Sequence, residues 1–520
     1  MSRDALLQRF LVGVFGGIGL LGLALAVVRA YRSDVLFNYA EGIIAGSLAA
    51  QRAGGLAALY PSEWAAAPLV LTLYPPGYFL TSGALSGTLG SEAILLAPRL
   101  VSLVAAVAAG IVLVRLARRW GADPSWFVVL LGAALVHPGV YRQLAAAQTD
   151  MLALGWTMIG VWFVLGPPRR GTSAAALACF AMAAFTKQSF VAAPLALLIH
   201  RVRSGDSRSA ARDYAFLGLL AVPVVLLLQS ATDGGFLRHV LGAVVDSGSL
   251  TGAGRVLRAS RPELWVPLVA LVAFAVRGRL RVEFPELWLG LGALLHGAAT
   301  MKTGASVNYF LEPLTALIVV GLLRSPRPPW APSPLGTAEV SPNVATVSVP
   351  AWNRWAPLAV LLLLGIGGAR AAASVAGELG QAVRSATLRL DGFAGGTPLV
   401  GVDFFPSLIE EGGRPYLNDP FAFGALAESG TWDPAGLRAD LEARRVPFVI
   451  TDIDIRPPIS PGDGVDDLLF AYFWRLPGVR EPLLEGYADT PTPDGFIHVW
   501  RPRPLWRPSG FSALPNTEAD

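Results

Sequence analysis

The stretch LVGVFGGIGLLGLALAVV, residues 11–28, contains no charged residue and decides the class of the fold. About 18–20 apolar residues are needed to carry a helix across a hydrocarbon core roughly 30 Å thick, so this run is long enough to span. Arg3 and Arg9 precede it, as in a secretory signal. No small-residue cleavage site follows and further apolar runs come after it, so it reads as a retained first span. Outward from it, the same composition continues. Hydrophobic residues make up 53% of the 520-residue chain and charged residues 15%, against about 25% in an ordinary soluble domain.

Apolar runs near 10–30, 75–90, 98–115, 125–145, 151–166, 172–186, 188–200, 213–230, 263–276, 285–300, 306–323 and 355–371 predict an α-helical polytopic membrane protein of about 11–12 membrane helices. The runs 172–186 and 188–200 flank Lys187, which reads as two short helices turning about a polar point. Basic residues concentrate in short loops: 200–212 (HRVRSGDSRSAAR), 277–281 (RGRLR), 324–330 (RSPRPPW), 115–119 (RLARR) and 169–170. The positive-inside rule puts these in the cytoplasm. The outer face then receives 31–74, the stretch around 141–150, Lys187, 231–262, the Lys302 region and everything after about 372. The 75–90 run fits this scheme only as a re-entrant segment, unless a neighbouring assignment changes.

Residues 331–353 are rich in Pro, Ser, Thr and Val without periodicity and read as a flexible loop ahead of the last membrane helix. The division is therefore 1–330 as the membrane module, 331–372 as loop and last helix, and 373–520 as a small soluble α/β domain on the outer face. PLVGV (398–402), PFVITD (447–452) and GFIHVW (495–500) read as its strands, and 434–445 as an amphipathic helix. The net charge is only +4 and no basic stripe with interleaved aromatics is present, which excludes a nucleic-acid partner. A single cysteine, Cys179, cannot close an internal disulfide and reads as a small buried hydrophobe.

Ionisable groups at a membrane boundary are costly, and they carry the functional argument. Asp34 follows the first span, with Glu41 seven residues on. LYPPGYF (73–79) places Tyr74 and Tyr78 at the mouth of a helix. Tyr141–Arg142 and Gln148–Thr149–Asp150 precede the next run, then come Thr186–Lys187–Gln188, Met301–Lys302–Thr303, Asn308–Tyr309 and Glu312–Pro313. Each has a bland reading: solvated interfacial acids, an Asp N-cap, snorkelling lysines, belt tyrosines. Together they gather acids and lysines on one face beside tyrosines and prolines. Acids serve as general base or metal ligand and lysines as phosphate clamps, a set that suits a lipid phosphate presented at the interface.

The order of these motifs is that of a known group. An acid after the first span, a PPxY-like helix entry, APRLVSL (97–103), QTDMLALGW (148–156), TKQSFVAAPLAL (186–197) and a late Lys302–Gly304 segment ahead of Tyr309 follow one another. Over residues 5–325 the chain resembles the GT-C superfamily of integral membrane glycosyltransferases. It looks nearest to the family 39 type, which includes protein O-mannosyltransferases and the aminoarabinose transferase of lipid A. The resemblance implies a multi-pass enzyme of the cytoplasmic membrane that moves a hexose or pentose from a polyprenyl-phosphate-sugar donor. The acceptor, a lipid, glycan or protein on the outer face, would be modified with inversion at the anomeric carbon. By this resemblance Asp34 is the base. Asp150 orients acceptor or metal, and Lys187 and Lys302, with Arg142, hold the donor phosphate. Tyr74, Tyr78, Asn308 and Tyr309 belong to the sugar and acceptor pocket. Where the family often shows an Asp-Glu pair this chain has Asp34-Val35, which makes Glu41 the second candidate base. No cofactor is implied. The five histidines are scattered and give no metal cluster, although a divalent metal stays open. A transporter or flippase of a lipid-linked sugar is the alternative. Inverted repeats and paired broken helices at the midplane would mark it, whereas here the charges collect at one face.

Overall fold

The computed structural model describes residues 3–31, 39–64, 67–90, 94–122, 143–167, 171–242, 283–299, 307–324, 398–400, 408–409, 413–451, 455–456, 478–491 and 498–503, with scattered positions between 123 and 142. Asp34, Arg142, Lys302, the expected spans 263–276 and 355–371, and the loop 331–353 lie outside the described residues.

The membrane module begins with α1 (Arg3–Tyr31), α2 (Tyr39–Leu59), the short α3 (Gly77–Leu89) and α4 (Leu96–Trp120). It continues with α5 (Thr149–Leu165), α6 (Thr172–Thr186), α7 (Ala192–Arg203) and α8 (Ser207–Ala231). A π-helical turn over Arg238–Gly242, α9 (Phe284–Ala299), a 3-10 turn over Val307–Phe310 and α10 (Leu311–Arg324) complete it. Among the described residues three helical stretches are long and apolar enough to cross a membrane: Val12–Tyr31, Leu96–Trp120 and Ser207–Ala231. Leu20, Val104, Leu219, Leu226 and Leu227 of these stretches are exposed, as side chains facing lipid would be.

The interior packs on small residues. A Cβ on Gly155 of α5 would lie 3.1 Å from the Ala105 Cβ of α4, and one on Gly160 would lie 2.5 Å from the Phe180 ring of α6. These close approaches bury Ala105, Ala109, Leu154, Met158, Leu177 and Phe180 in one core, which reaches Trp288 of α9 and Val319 of α10. Where two helices carry no large side chain, backbones approach and dispersion contacts multiply.

Two expectations gain detail. The 75–90 run forms α3, whose 13 residues make about 20 Å of helix, shorter than a crossing as a re-entrant segment would be, and it lies against α4. Part of the 31–74 segment is helix, α2, whose regular geometry breaks at Gly54 and Gly55 (φ +66°). Glu41, Gln51 and Arg52 conceal it from a search for charge-free runs.

The C-terminal part holds a four-stranded sheet in the order β1-β2-β4-β3, made by β1 (Leu399–Val400), β2 (Val449–Thr451), β3 (Tyr487–Pro491) and β4 (His498–Pro502). The first pair is parallel, with Leu399 opposite Val449, and the other two are antiparallel, with Ile450 opposite Val499 and Asp489 opposite Trp500. Helices α11 (Pro420–Glu428), α12 (Ala435–Glu442) and α13 (Arg480–Gly486) flank it. The sequence expectation located three of the four strands and α12. It missed β3, whose YADTP is too polar to read as a strand, and also the short α11 and α13.

The sheet domain is docked on the membrane module. Leu69 N donates to Tyr416 O (2.7 Å) and Asn418 N to Leu69 O (3.1 Å), and the two segments form a parallel bridge. Trp64, Leu69 and Leu71 share a core with Phe423, Trp432, Leu437 and Val449. Tyr39 and Ile43 of α2 pack beneath Val400, Phe448 and Ile450.

Candidate active site

α6 ends at Thr186, and the next residue, Lys187, is extended (φ −148°, ψ 116°). Gly77 permits this turn to sit close to α3, since a Cβ there would lie 2.7 Å from Phe185 O and 2.9 Å from the Thr186 hydroxyl. The Lys187 side chain runs into the protein, 2% exposed, and its ammonium donates to Asp150 Oδ1 at 2.6 Å. Asp150 belongs to the first turn of α5 and is equally buried. Its second oxygen accepts from Asn308 Nδ2 at 3.3 Å. The rings of Tyr309 and Tyr74 stand 4.9 and 5.7 Å from the Lys187 Nζ. The pair is therefore walled by two aromatic faces, which favour a cation. The Gln188 amide closes the turn, donating to Leu73 O at 2.8 Å and reaching Val240 O at 3.4 Å.

Five sequence-selected residues thus converge: Asp150, Lys187, Tyr74, Asn308 and Tyr309. They come from four separate chain segments, each placed by a helix end. Several buried polar atoms at this point have no hydrogen-bond partner among the described residues: Thr149 Oγ1, Gln188 Oε1, Ser189 Oγ and Asn308 Oδ1. Buried polar atoms are costly when unsatisfied, so their presence on the residues that adjoin Asp150 and Lys187 and on Asn308 marks a place suited to a polar ligand.

Glu41 and Tyr78 have partners of their own. Glu41 is fully buried and takes a bidentate pair from Arg99, Nε to Oε1 at 3.0 Å and Nη2 to Oε2 at 2.7 Å. Its Oε1 also accepts from Ala147 N at 2.9 Å, and Arg99 Nη1 donates to Arg29 O at 3.2 Å. This carboxylate joins α1, α2, α4 and the loop that leads into Asp150. Tyr78 donates to Pro98 O (2.7 Å) and contacts the Ser102 hydroxyl (3.1 Å) at the joint of α3 and α4.

Three further polar assemblies surround the site. Glu312 of α10 accepts from Trp288 Nε1 (2.8 Å) and binds His296 Nε2 (2.7 Å), and His296 stacks obliquely near Tyr309. Glu312 was noticed in the sequence, but its partners lie on another helix and no spacing links them to it. Tyr39 donates to Asp419 Oδ1 (2.6 Å), the acid that also caps α11 through Ala422 N. His239 accepts from Thr72 N on Nδ1 (3.1 Å), so its Nε2–H donates to Pro61 O (2.8 Å). Burial pushes the pKa of this histidine down to about 4, against the counteracting Pro61 hydrogen bond. The ring is neutral at neutral pH. Among the described residues no three His, Cys, Asp or Glu side chains group as metal ligands would.

No family model and no curated protein matches the sequence. The fold is similar to that of a solved structure, ArnT from Cupriavidus metallidurans bound to undecaprenyl phosphate. The TM-score is 0.52 at 16% sequence identity, covering 92% of this chain and 97% of that one. At this identity the likeness is one of fold alone, and it extends over nearly the whole of both chains.

Proposed function

We propose that the chain is a membrane glycosyltransferase that takes a sugar from a polyprenyl-phosphate donor and passes it to an acceptor on the outer face of the cytoplasmic membrane. One observation carries the reading: a buried lysine, held by Asp150 between two tyrosine rings, at a junction of helix ends where other buried polar atoms lack partners among the described residues. The fold likeness supports it, because the similar structure holds undecaprenyl phosphate.

In this reading the Lys187 ammonium receives the donor phosphate. Its three N–H donors serve more than one acceptor, and Asp150 occupies only one of them. The acceptor hydroxyl oxygen attacks the anomeric carbon from the face opposite the phosphate. The carbon–oxygen bond to phosphate breaks, its electron pair leaves with the polyprenyl phosphate, and the hydroxyl proton passes to a carboxylate. A single displacement of this kind inverts the anomeric centre. Charge grows on the leaving phosphate, where a fixed ammonium in a water-poor site is most effective. Asp34 is the proposed base, and Lys302 and Arg142 are proposed as further phosphate ligands. Asn308, Tyr74 and Tyr309 shape the sugar pocket. Glu41 is assigned to holding the helices rather than to proton transfer, since both its oxygens are taken. Residues 1–330 form the transferase module, and 373–520 form a domain on the outer face, docked at the same end as Lys187.

The test is transfer in proteoliposomes with a panel of polyprenyl-phosphate hexoses and pentoses, read by product mass. Asp34→Asn is expected to lower turnover at least 100-fold, in the range of a lost general base, while undecaprenyl phosphate binding persists. Near-normal turnover would remove Asp34 from the role. Absence of transfer from every donor, with no undecaprenyl phosphate binding, would sink the transferase reading.

A further inference from the structure

A second cleft lies between the docked domain and the membrane module, on the other side of the His239–Trp64 layer from Lys187. Its volume is about 620 Å³, inside the ~300–1,000 Å³ range of small-molecule sites. Glu63, Trp64 and Arg238 line it from below, and Trp432, Asp433 and Asp440 from above. Its chemistry is specific. Arg238 is spent on the cleft wall, its guanidinium 4.5 Å from the Trp64 ring centre and its Nη1 donating to Ser62 O. Arg445 is likewise bound to Asp440, whose other oxygen accepts from the Tyr416 hydroxyl at 2.7 Å. Among the described lining residues three carboxylates stand against two guanidiniums, and Glu63 and Asp433 are on exposed positions. Asp433 Oδ1 takes the Ala435 N–H, which leaves its second oxygen to face solvent. A phosphate-rich or carboxylated ligand would meet this excess of negative charge. The acceptor oxygens of Glu63 and Asp433, with the Trp64 and Trp432 rings in the same lining, suit hydroxyl and amino groups on a ring whose C–H faces are weakly apolar.

We infer that this cleft is a saccharide subsite, and that it holds the neutral or amino-bearing glycan part of the acceptor. The assignment rests on the transferase reading for its place in the reaction, though not for the binding itself. The cleft is a different place from the donor site. Trp64 contacts His239 at 5.1 Å between ring centres, His239 fixes Thr72, and the neighbouring Leu73 and Val240 carbonyls both engage Gln188, which adjoins Lys187. A glycan anchored in the cleft therefore rests on the layer that shapes the donor pocket.

The experiment uses the full chain in nanodiscs and measures binding of three trisaccharides by calorimetry: maltotriose, the glucosamine trimer and the galacturonate trimer. Maltotriose and the glucosamine trimer are expected to bind, the latter more tightly, and the galacturonate trimer at least tenfold more weakly than either. The Glu63→Gln/Asp433→Asn double variant is expected to lower glucosamine-trimer affinity at least tenfold and to leave undecaprenyl phosphate binding unchanged. Both positions are exposed and asparagine keeps the Asp433 turn, so folding is preserved; a thermal midpoint equal to that of the parent checks it. No saccharide binding, equal binding of the galacturonate trimer, or an unaltered double variant would overturn the assignment. If the saccharides bind as expected and undecaprenyl phosphate does not bind at all, the donor reading fails and the subsite stands.

Discussion

Lys187 and Asp150 are a buried ion pair, and buried pairs respond to mutation in a characteristic way. Removing one partner leaves an uncompensated charge at a cost of about 3–5 kcal/mol, whereas removing both together costs far less. Lys187→Met alone is therefore expected to lower the thermal midpoint clearly. Adding Asp150→Leu should recover most of the loss, because the orphaned carboxylate goes too. Donor binding should stay lost in both, since the phosphate has no ammonium to meet. Thermal unfolding together with an undecaprenyl phosphate binding assay separates the two effects. A double variant as unstable as the single one would show that the pair is not the thermodynamic unit proposed. The Glu41–Arg99 pair shares the burial but not the surroundings. Arg99 bonds both Glu41 oxygens and Ala147 N adds a third bond, so that carboxylate is engaged in holding its own helices together. In sequence the two acids, Glu41 and Asp150, look alike; the partners tell them apart.

At the scale of elements, the site is made by helices that end early. α6 stops after 15 residues and α7 runs for 12, and the turn between them carries Lys187. α3 is shorter than a membrane crossing and delivers Tyr74 and Gly77 to the same turn. Gly77→Ala would press a methyl onto Phe185 O and Thr186 Oγ1, backbone and helix end together. Overpacking of this kind costs about 1–3 kcal/mol. The expected outcome is a moderate loss of stability with weakened undecaprenyl phosphate binding, because the clash moves the Lys187 turn. Unchanged donor affinity in the destabilised variant would show that the turn tolerates the shift. The sequence made Lys187 legible as a polar point between two apolar runs, since helix periodicity and the cost of a charge are local properties. It could not show α2, where three polar residues interrupt an otherwise helical stretch, nor the partners of Glu312, which lie on a different helix.

For the whole molecule, the decisive contact is the seam between the membrane module and the sheet domain. Residues 60–72 supply Trp64, Leu69 and Leu71 to the domain core, and His239 pins the same loop through Thr72 and Pro61. His239 is held neutral, its pKa about 4 folded against an ordinary 6.5. The unfolded chain therefore binds the extra proton between those values, and stability rises with pH across that window. The contribution is complete above pH 6.5 and is lost as pH falls toward 4, roughly 3 kcal/mol in all. The thermal midpoint should be flat from pH 8 to 7 and should fall below 6.5. In His239→Phe the fall should be shallower and the midpoint at pH 8 lower, because Thr72 N and Pro61 O lose their partner. Parallel pH profiles in the two proteins would exclude His239 as the titrating group.

Taken alone, the sequence determined the membrane class, the set of charged and aromatic residues at helix ends, and three strands of the C-terminal sheet. Each follows from local physics: the apolar length needed to span, the cost of an ion in hydrocarbon, the alternation of a half-buried strand. Only the tertiary structure decided which of the marked residues meet. It put Lys187 on Asp150 and Glu41 on Arg99, gathered Tyr74, Asn308 and Tyr309 around the first pair, and tied the Tyr78 hydroxyl to Pro98 O and Ser102. It also laid residues 416–418 along residues 69–71, opening the cleft between two parts of the chain more than 300 positions distant. Such pairings depend on how helices pack on glycine and alanine and on which loop reaches which sheet. Those are relations between distant segments, and no window of the sequence contains them.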